Sequence, residues 1–418
     1  MKITREYKFG GKYDVIVCGG GPAGVAAAVS CARKSKKTLL LEQGGCLGGF
    51  WTRGLLTWLI DPFDKGALLD EVMTRLEKNA DGKKLPHMSR FTADTEKTKL
   101  EFERLCKEAG VNILYHTLLS DAIVENGHVQ AVLTESKSGH VYFEASMFID
   151  ATGDGDLGYF CGTSYELGNE EGKTQPMSLI AHIDGVSIEK TAYDSRYTDN
   201  KAAKAKLLDD MRLSGIASSY TAPLIAVLSE KYNTLGFMVN HEYGCGLDAK
   251  TLTDSTLEAR EEIHTITEGL RNYGGIWSDL RVTATADMIG VREGRRIKGL
   301  YQLSADDVIT GRGFPDGICT VTCKTDIHAL RPDKNKAFEN QYGGKHPPYQ
   351  IPLRALISAE MDNLLMAGRC ISGDFVAHSS YRVAGPAFRT GEVAGACAAY
   401  CLENGILPQS LPEPSAFL

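Results

Sequence analysis

Hydrophobic residues run together at 13–18 (YDVIVC), the pattern of a strand covered on both faces. Small, helix-compatible residues (VAAAVSCARK) follow at 25–34, and a second apolar run, TLLLE, closes at Glu42. Strand, helix and strand in that order predict the start of a parallel sheet. Residues 94–109 read as a surface helix with a turn at Gly110. Residues 111–146 then alternate as several strands, with turn signals at Asn126-Gly127 and Ser138-Gly139. A further apolar strand opens the segment MFIDATGDGDLG at 147–158. Toward the C-terminus, NLLMAG (363–368) reads as a buried strand. A loop follows it, then a helix rich in Ala and Gly that begins near Gly385-Pro386, since Pro suits a first helical turn. Between these halves lie strand candidates at 178–184, 281–289 and 317–323 and amphipathic helix candidates at 199–213 and 255–272. Residues 343–348, GGKHPP, read as an exposed linker.

Composition narrows this picture. Forty-four of the 418 residues are glycine, where about 29 would be usual. Glycine is retained where backbone turns sharply or approaches a ligand. A hydrophobic share of 43% with 24% charged residues excludes a disordered chain. The formal charge of -7 argues against broad nucleic-acid binding. The one basic cluster, Arg33, Lys34, Lys36 and Lys37, falls where a helix should end and reads as a solvated cap. The first fourteen residues contain no apolar leader core, and no run of about 18 apolar residues occurs, so a cytoplasmic protein without a membrane span is expected. The eleven scattered cysteines lack the spacing of a zinc knuckle or a redox pair, and no metal site is expected.

The glycines concentrate where chemistry is expected. Gly19, Gly21 and Gly24, with Pro22 and Ala23 between, form G-x-G-x-x-G between a strand and a helix. The first permits a tight turn, the second lets backbone approach a pyrophosphate, and the third lets the helix pack on the strand. The anion would rest on the helix N-terminus. Glu42 stands 23 residues after Gly19, at the spacing of an acid that binds ribose hydroxyls. The motif fits FAD and NAD alike. Gly44, Gly45, Gly48 and Gly49 follow Glu42 and Gln43, however. In flavoproteins with two dinucleotide folds, a glycine pair here lets the backbone run beside the flavin's phosphates and ribityl chain. An alternating meander that ends in a strand with a Thr-Gly turn, Ala151-Thr152-Gly153-Asp154, is also typical of FAD domains. The N-terminal end of the helix at Gly385, Pro386 and Ala387 can face the flavin N1–C2=O edge and stabilise the reduced ring's negative charge.

The blocks GGGPAG (19–24), FIDATGDGDL (148–157), TQPMSL (174–179), IGVREGRRIKGLYQLSADDV (289–308), DIH (326–328), IPLRALISAEMDNLLMAGRCIS (351–372) and HSSYRVAGPAFRTGEVAG (378–395) run almost end to end. With them the sequence resembles the FAD-dependent oxidoreductase family related to the glutathione-reductase-type FAD fold. The resemblance implies an α/β fold in which a Rossmann-like FAD/NAD(P)-binding domain, with a parallel sheet and β-meander, comprises residues 1–160 and 351–418. A mixed α+β substrate or cap domain, 161–350, is inserted. It also implies one non-covalent FAD and an oxidoreductase of undefined substrate. One departure concerns the ribityl chain. Many flavoproteins end the C-terminal strand with Gly-Asp, but here Gly368 is followed by Arg369, and Gly373-Asp374 comes later. Asp374 or the backbone could serve.

The expected reaction passes a hydride between a small organic substrate and the flavin N5, while a protein group handles a proton. His378, Tyr381 and Arg382 precede the flavin-facing helix and are candidates for auxiliary roles, His378 as acid or base or simply as a hydrogen-bonded loop residue. Arg292 could contact substrate or flavin, while Arg295 and Arg296 fit better as partners of carboxylates at a domain junction. Asp326 and His328 could pair. Cys46, in the glycine loop, reads as a small packing residue. No second G-x-G-x-x-G follows a strand, so a separate NAD(P)H domain is not expected. The electron acceptor and any homo-oligomer are left open. Two other readings are a structural, non-turnover flavin and an NAD-dependent dehydrogenase.

Overall fold

A computed structural model of the chain describes residues 4–188, 191–194, 196, 200–332 and 346–418. The apolar run at 13–18 ends a longer strand, Lys8–Cys18, whose last four residues are wholly buried. It lies between Thr38–Leu41 and Gly139–Asp150 and is parallel to both. Asn112–Leu114 extends the parallel part beyond Thr38–Leu41. The far edge of Gly139–Asp150 is divided between two partners. Its first part pairs antiparallel with His128–Ser136, which pairs in turn with Leu118–Glu125, and its last three residues pair parallel with Leu364–Met366. The meander turns fall at Asn126-Gly127 and at Gly139, as expected. A strand from near the C-terminus therefore enters the N-terminal sheet beside the strand that leads into Ala151–Asp154.

The helices on this sheet explain much of the glycine excess. Pro22–Arg33 packs along the C-terminal helix Ala384–Asn404. A Cβ on Gly391 would lie 2.0 Å from the Ala23 carbonyl oxygen. That is inside any real contact, so only glycine lets these helices touch backbone to backbone. The surface helix Thr95–Ala109 starts at Asp94, whose side chain accepts from the Lys97 amide, and stops at Gly110 in the left-handed conformation.

The middle of the chain builds a second sheet, with strand order Leu224–Ser229, Thr234–Met238, Ala181–Asp184, Arg281–Thr285, all antiparallel. Asn200–Leu213 and Ala249–Tyr273 are its helices. Ile183, Phe237, Ile263 and Trp277 belong to a separate buried cluster there. Among the described residues, no helix is long and apolar enough to cross a membrane.

Several local readings change. The second amphipathic helix begins at Ala249 rather than 255, because Asp248 caps it through the Thr251 amide at 2.7 Å. The segment expected as a loop before the C-terminal helix contains a short helix, Phe375–Tyr381. A three-stranded sheet of Trp58–Ile60, Arg90–Ala93 and Gly82–Leu85 and a helix, Ala67–Lys78, fill a stretch left unassigned by sequence. Strands of three or four residues are too short to display a period. The linker reading at 343–348 lies partly outside the described residues.

Candidate active site

The turn at 19–24 is set by steric limits. Gly19 has φ +100°, and a Cβ there would lie 2.5 Å from the Ala151 carbonyl oxygen. A Cβ on Gly24 would stand 1.8 Å from the Gly19 carbonyl oxygen, whereas one on Gly21 would meet nothing within 4 Å. Gly19 and Gly24 are thus demanded by the protein itself. Gly21, flanked by Pro22 and buried Ala23, faces open space at the start of a helix with no side-chain cap and no acid in its first turn. Such an N-terminus fits a pyrophosphate.

Glu42 is buried and ties two glycine loops together. Its Oε2 accepts from the Gly20 amide at 2.8 Å and its Oε1 from the Gly44 amide at 2.6 Å, with Arg53 Nη1 at 3.2 Å. Gln43, beside it, is exposed. The Gly48 amide donates to the Gly20 carbonyl at 2.8 Å, and a Cβ on Gly49 would lie 3.1 Å from Gly21 Cα. The two glycine-rich segments therefore lie against each other, which suits a backbone-lined channel for a dinucleotide. Cys46 is half-buried in this loop, and burial pushes its thiol pKa up, away from a reactive thiolate.

Ala151–Asp154 approaches from the sheet. The Ala151 amide donates to Cys18, and the buried Asp150 carboxylate accepts from the Thr152 amide and hydroxyl and from the Gly158 amide. The Thr152 hydroxyl is thus directed into its own turn. Gly153 lies against Arg369, and Asp154 pairs with Arg369 at 2.9 Å. The Gly368 amide donates to Thr390 Oγ1 at 3.0 Å. Arg369 also donates to the Val291 carbonyl. Asp374 has both carboxylate oxygens engaged. Its Oδ1 caps the Phe375–Tyr381 helix through Ala377 at 2.8 Å, and its Oδ2 accepts from the Ala305 amide at 2.6 Å. Gly385 abuts the Asp61 carbonyl, and Pro386 and Ala387 complete the first turn of the C-terminal helix.

Just before that helix, four of the sequence blocks converge. Arg382 donates to the carbonyls of Arg292 (3.0 Å) and Asp326 (2.8 Å) and to Gln175 Oε1 (3.1 Å). Gln175 Oε1 also accepts from the His328 amide at 2.9 Å. Asp326 Oδ2 lies 3.3 Å from His328 Nε2, and His328 Nδ1 lies 3.1 Å from His241 Nε2. His241 stacks on Tyr220 with ring centroids 3.9 Å apart. Its backbone is held from both sides. The Asn240 side chain brackets Leu179 through two bonds, and Glu242 pairs with Met177. Arg292 donates to Pro176 O and Ser178 Oγ.

Burial, then the neighbouring Arg292, pushes the His328 pKa down to about 4, and burial followed by Arg292 and His328 holds His241 far below the ordinary imidazole value. Burial opposes ionisation of Asp326, but His328, Arg382 and Arg292 outweigh it and hold the carboxyl below the usual range. Both imidazoles are therefore neutral near pH 7 and Asp326 is ionised. This fixes the tautomers by hydrogen-bond logic. Asp326 accepts only, so His328 donates from Nε2. His328 Nδ1 must then accept from His241 Nε2–H. The chain ends on a His241 Nδ1 lone pair.

The other candidates lie elsewhere. His378 is wholly buried, 3.9 Å from Glu293 and without a hydrogen-bond partner at either ring nitrogen. Burial, then Arg296 and Arg382, keeps it neutral. The Tyr381 hydroxyl donates to Ile371 O at 2.9 Å. Arg295 pairs with Asp156, and Arg296 with Glu293 and the Gly168 and Gly373 carbonyls. These arginines lie in an irregular segment, so their spacing does not put them on one helix face. His241, Gln175 and Tyr220 are not singled out by sequence. A histidine between Asn240 and Glu242 at the end of the apolar run 235–239 was the available signal.

Comparison with known proteins identifies the family. Thiamine thiazole synthase of Aeropyrum pernix is 36% identical over 121 residues, 29% of this chain and 43% of that protein. The tRNA uridine 5-carboxymethylaminomethyl modification enzyme MnmG of Bacillus subtilis is 28% identical over 174 residues, 36% of this chain and 27% of that enzyme. The chain spans about half the length of the thiazole synthases it matches. A geranylgeranyl bacteriochlorophyll reductase-like protein of Thermoplasma acidophilum shares the fold, with TM-score 0.53 and 14% identity over 98% of this chain and 83% of that one. The model of the family described as FAD dependent oxidoreductase matches residues 14–417, nearly the whole chain, and the chain belongs to that family of FAD enzymes.

Proposed function

We propose that this FAD-dependent oxidoreductase passes a hydride between a small organic substrate and the N5 of a non-covalently held flavin, with the Asp326–His328–His241 chain handling the accompanying proton. When bound, FAD would supply the redox chemistry, exchanging a hydride and with it both electrons. The residues of the chain account for the rest. The uncapped Pro22–Arg33 helix and the glycine loops hold the dinucleotide, and Glu42 fixes those loops to each other. Residues 161–350 then act as the substrate-binding part inserted between the two FAD-binding segments, 1–160 and 351–418.

The observation that carries this reading is the direction of the hydrogen-bond chain. It leaves a lone pair on His241 Nδ1 at one end and an anionic Asp326 at the other. A substrate O–H or N–H whose adjacent C–H bond gives up hydride can release its proton to His241 Nδ1. Burial and Arg292 oppose the resulting imidazolium, and the Asp326 carboxylate, acting through His328, favours it. Arg382 holds the carbonyls of Arg292 and Asp326 and so fixes the distance between the two halves of the cluster.

The test is anaerobic mixing of the FAD-loaded enzyme with a library of small alcohols, amines and hydroxy acids while the flavin band is followed. Bleaching by one class, with the rate falling in His241→Asn but FAD content unchanged, is the expected result. A fully loaded flavin that no member reduces, although dithionite does, overturns the reading in favour of a structural flavin.

A further inference from the structure

Arg292 is a half-buried cation without a counter-ion among the described residues. Only its Nη1 is engaged, by Pro176 O and Ser178 Oγ, and it forms no ion pair among the described residues. Its surroundings add more positive charge. Arg382 acts, with Arg292, on the carboxylate of Asp326. Asp326 already answers to His328 and lies 3.9 Å from Arg382. Glu293, the next acid, is paired with Arg296. A guanidinium withdrawn from water is costly unless a partner anion meets it. The strain of this arrangement shows on Arg292 itself, where burial and then Arg382 bring its pKa down to about 10. Near Arg292 stand the Tyr220 ring, stacked on His241, and the His241 Nδ1 lone pair.

We infer that the small-molecule substrate carries a carboxylate, which Arg292 receives on the free Nε–Nη2 edge of its guanidinium beside Tyr220. Planar carboxylate and planar guanidinium match in a two-bond fork, which an amide or alcohol cannot reproduce at full strength. The neighbouring His241 then stands next to the carboxylate-bearing part of the substrate, where the transferable proton lies. The inference rests on the proposed hydride reading for the word substrate, but the anion site itself does not need turnover.

Calorimetry on the FAD-loaded enzyme tests it, with succinate and benzoate as probes against succinamide and benzamide. Saturable binding of at least one carboxylate is expected, with its amide at least about tenfold weaker. Arg292→Gln should weaken the carboxylate about tenfold or more and leave the amide unchanged, with FAD content equal to wild type. Arg292→Lys keeps the charge and loses the fork, so its loss should be intermediate; it also covers the case in which the glutamine variant folds poorly. Absence of carboxylate binding, equal binding of acid and amide, or carboxylate binding unchanged in both variants overturns the inference. Loss of FAD from Arg292→Lys also overturns it, because the guanidinium would then serve the cofactor. If carboxylates bind through Arg292 yet no compound reduces the flavin, the hydride reading fails while the anion site stands.

Discussion

The glycine turn at 19–24 and the Asp326–His328–His241 chain meet different requirements. The turn is built from six consecutive residues, and its geometry follows from where a Cβ would collide. The histidine chain joins residues from two separate segments, with Gln175 and Arg382 from two more. A local device of this kind survives in many flavoproteins because a pyrophosphate is always the same shape. The assembled device depends on the inserted sheet, since the strand pairing of Met177 with Glu242 and of Ser178 with Gly290 sets His241 and Arg292 side by side. Cofactor binding and proton handling should therefore fail independently.

The largest effect should come within the turn. Gly24→Val puts a side chain where 1.8 Å is available, and a loss of about 3 kcal/mol or more, or no soluble protein, is expected in denaturant melts. Gly21→Ala has free space around it. It should keep wild-type stability and lose about tenfold in FAD affinity, a methyl group's worth at a fitted surface. If Gly21→Ala retains full FAD, the open space beside it is not the pyrophosphate site.

Breaking the other device should spare the cofactor. Asp326→Asn and His328→Asn should each lower the rate of flavin reduction by about 10²–10⁴ with FAD content intact. Equal loss of FAD in these variants would merge the two regions and defeat the comparison.

Acid stability is a finer probe. The His328 pKa is pushed down to about 4 by burial and then by Arg292, against about 6.5 in an unfolded chain. Between these values the unfolded state binds the extra proton. The stability from the neutral His328 is thus fully present above about pH 6.5 and is lost as pH falls toward 4, on the order of 3 kcal/mol. His241, lowered for similar reasons, adds in the same direction. Thermal melts from pH 8 to 4 should show this acid limb, and His328→Asn should flatten it.

The smallest effect belongs to Cys46. Cys46→Ala should keep FAD, and acid-precipitated wild type should release all its flavin. Yellow colour remaining with the pellet would show a covalent link and a different role for the loop.

The fold around the glycine turn was legible because its cues are local. Residues 19–24, the meander turns and the final parallel strand each carry a cue of a few residues that survives without neighbours. The proton-handling end was only partly legible. Asp326 and His328 stand two apart and could be paired on paper, and Arg292 and Arg382 were suspected from their motifs. His241 escaped because its partner lies 87 residues away. Asp374, one of two readings for the ribityl contact, has both carboxylate oxygens accepting from backbone amides at helix starts, a local role that Gly-Asp does not announce. His378 stands just before the C-terminal helix, yet the short Phe375–Tyr381 helix turns it into the core.

The sequence by itself determined the glycine turn, the strands and helices with a clear apolar period, and the family, because backbone sterics and apolar periodicity act over a few residues. The tertiary structure alone decided which polar groups face one another. Protonation states, tautomers and the unpaired charge of Arg292 depend on burial and on partners brought in from distant segments, and neither exists until the inserted sheet has packed against the FAD-binding core.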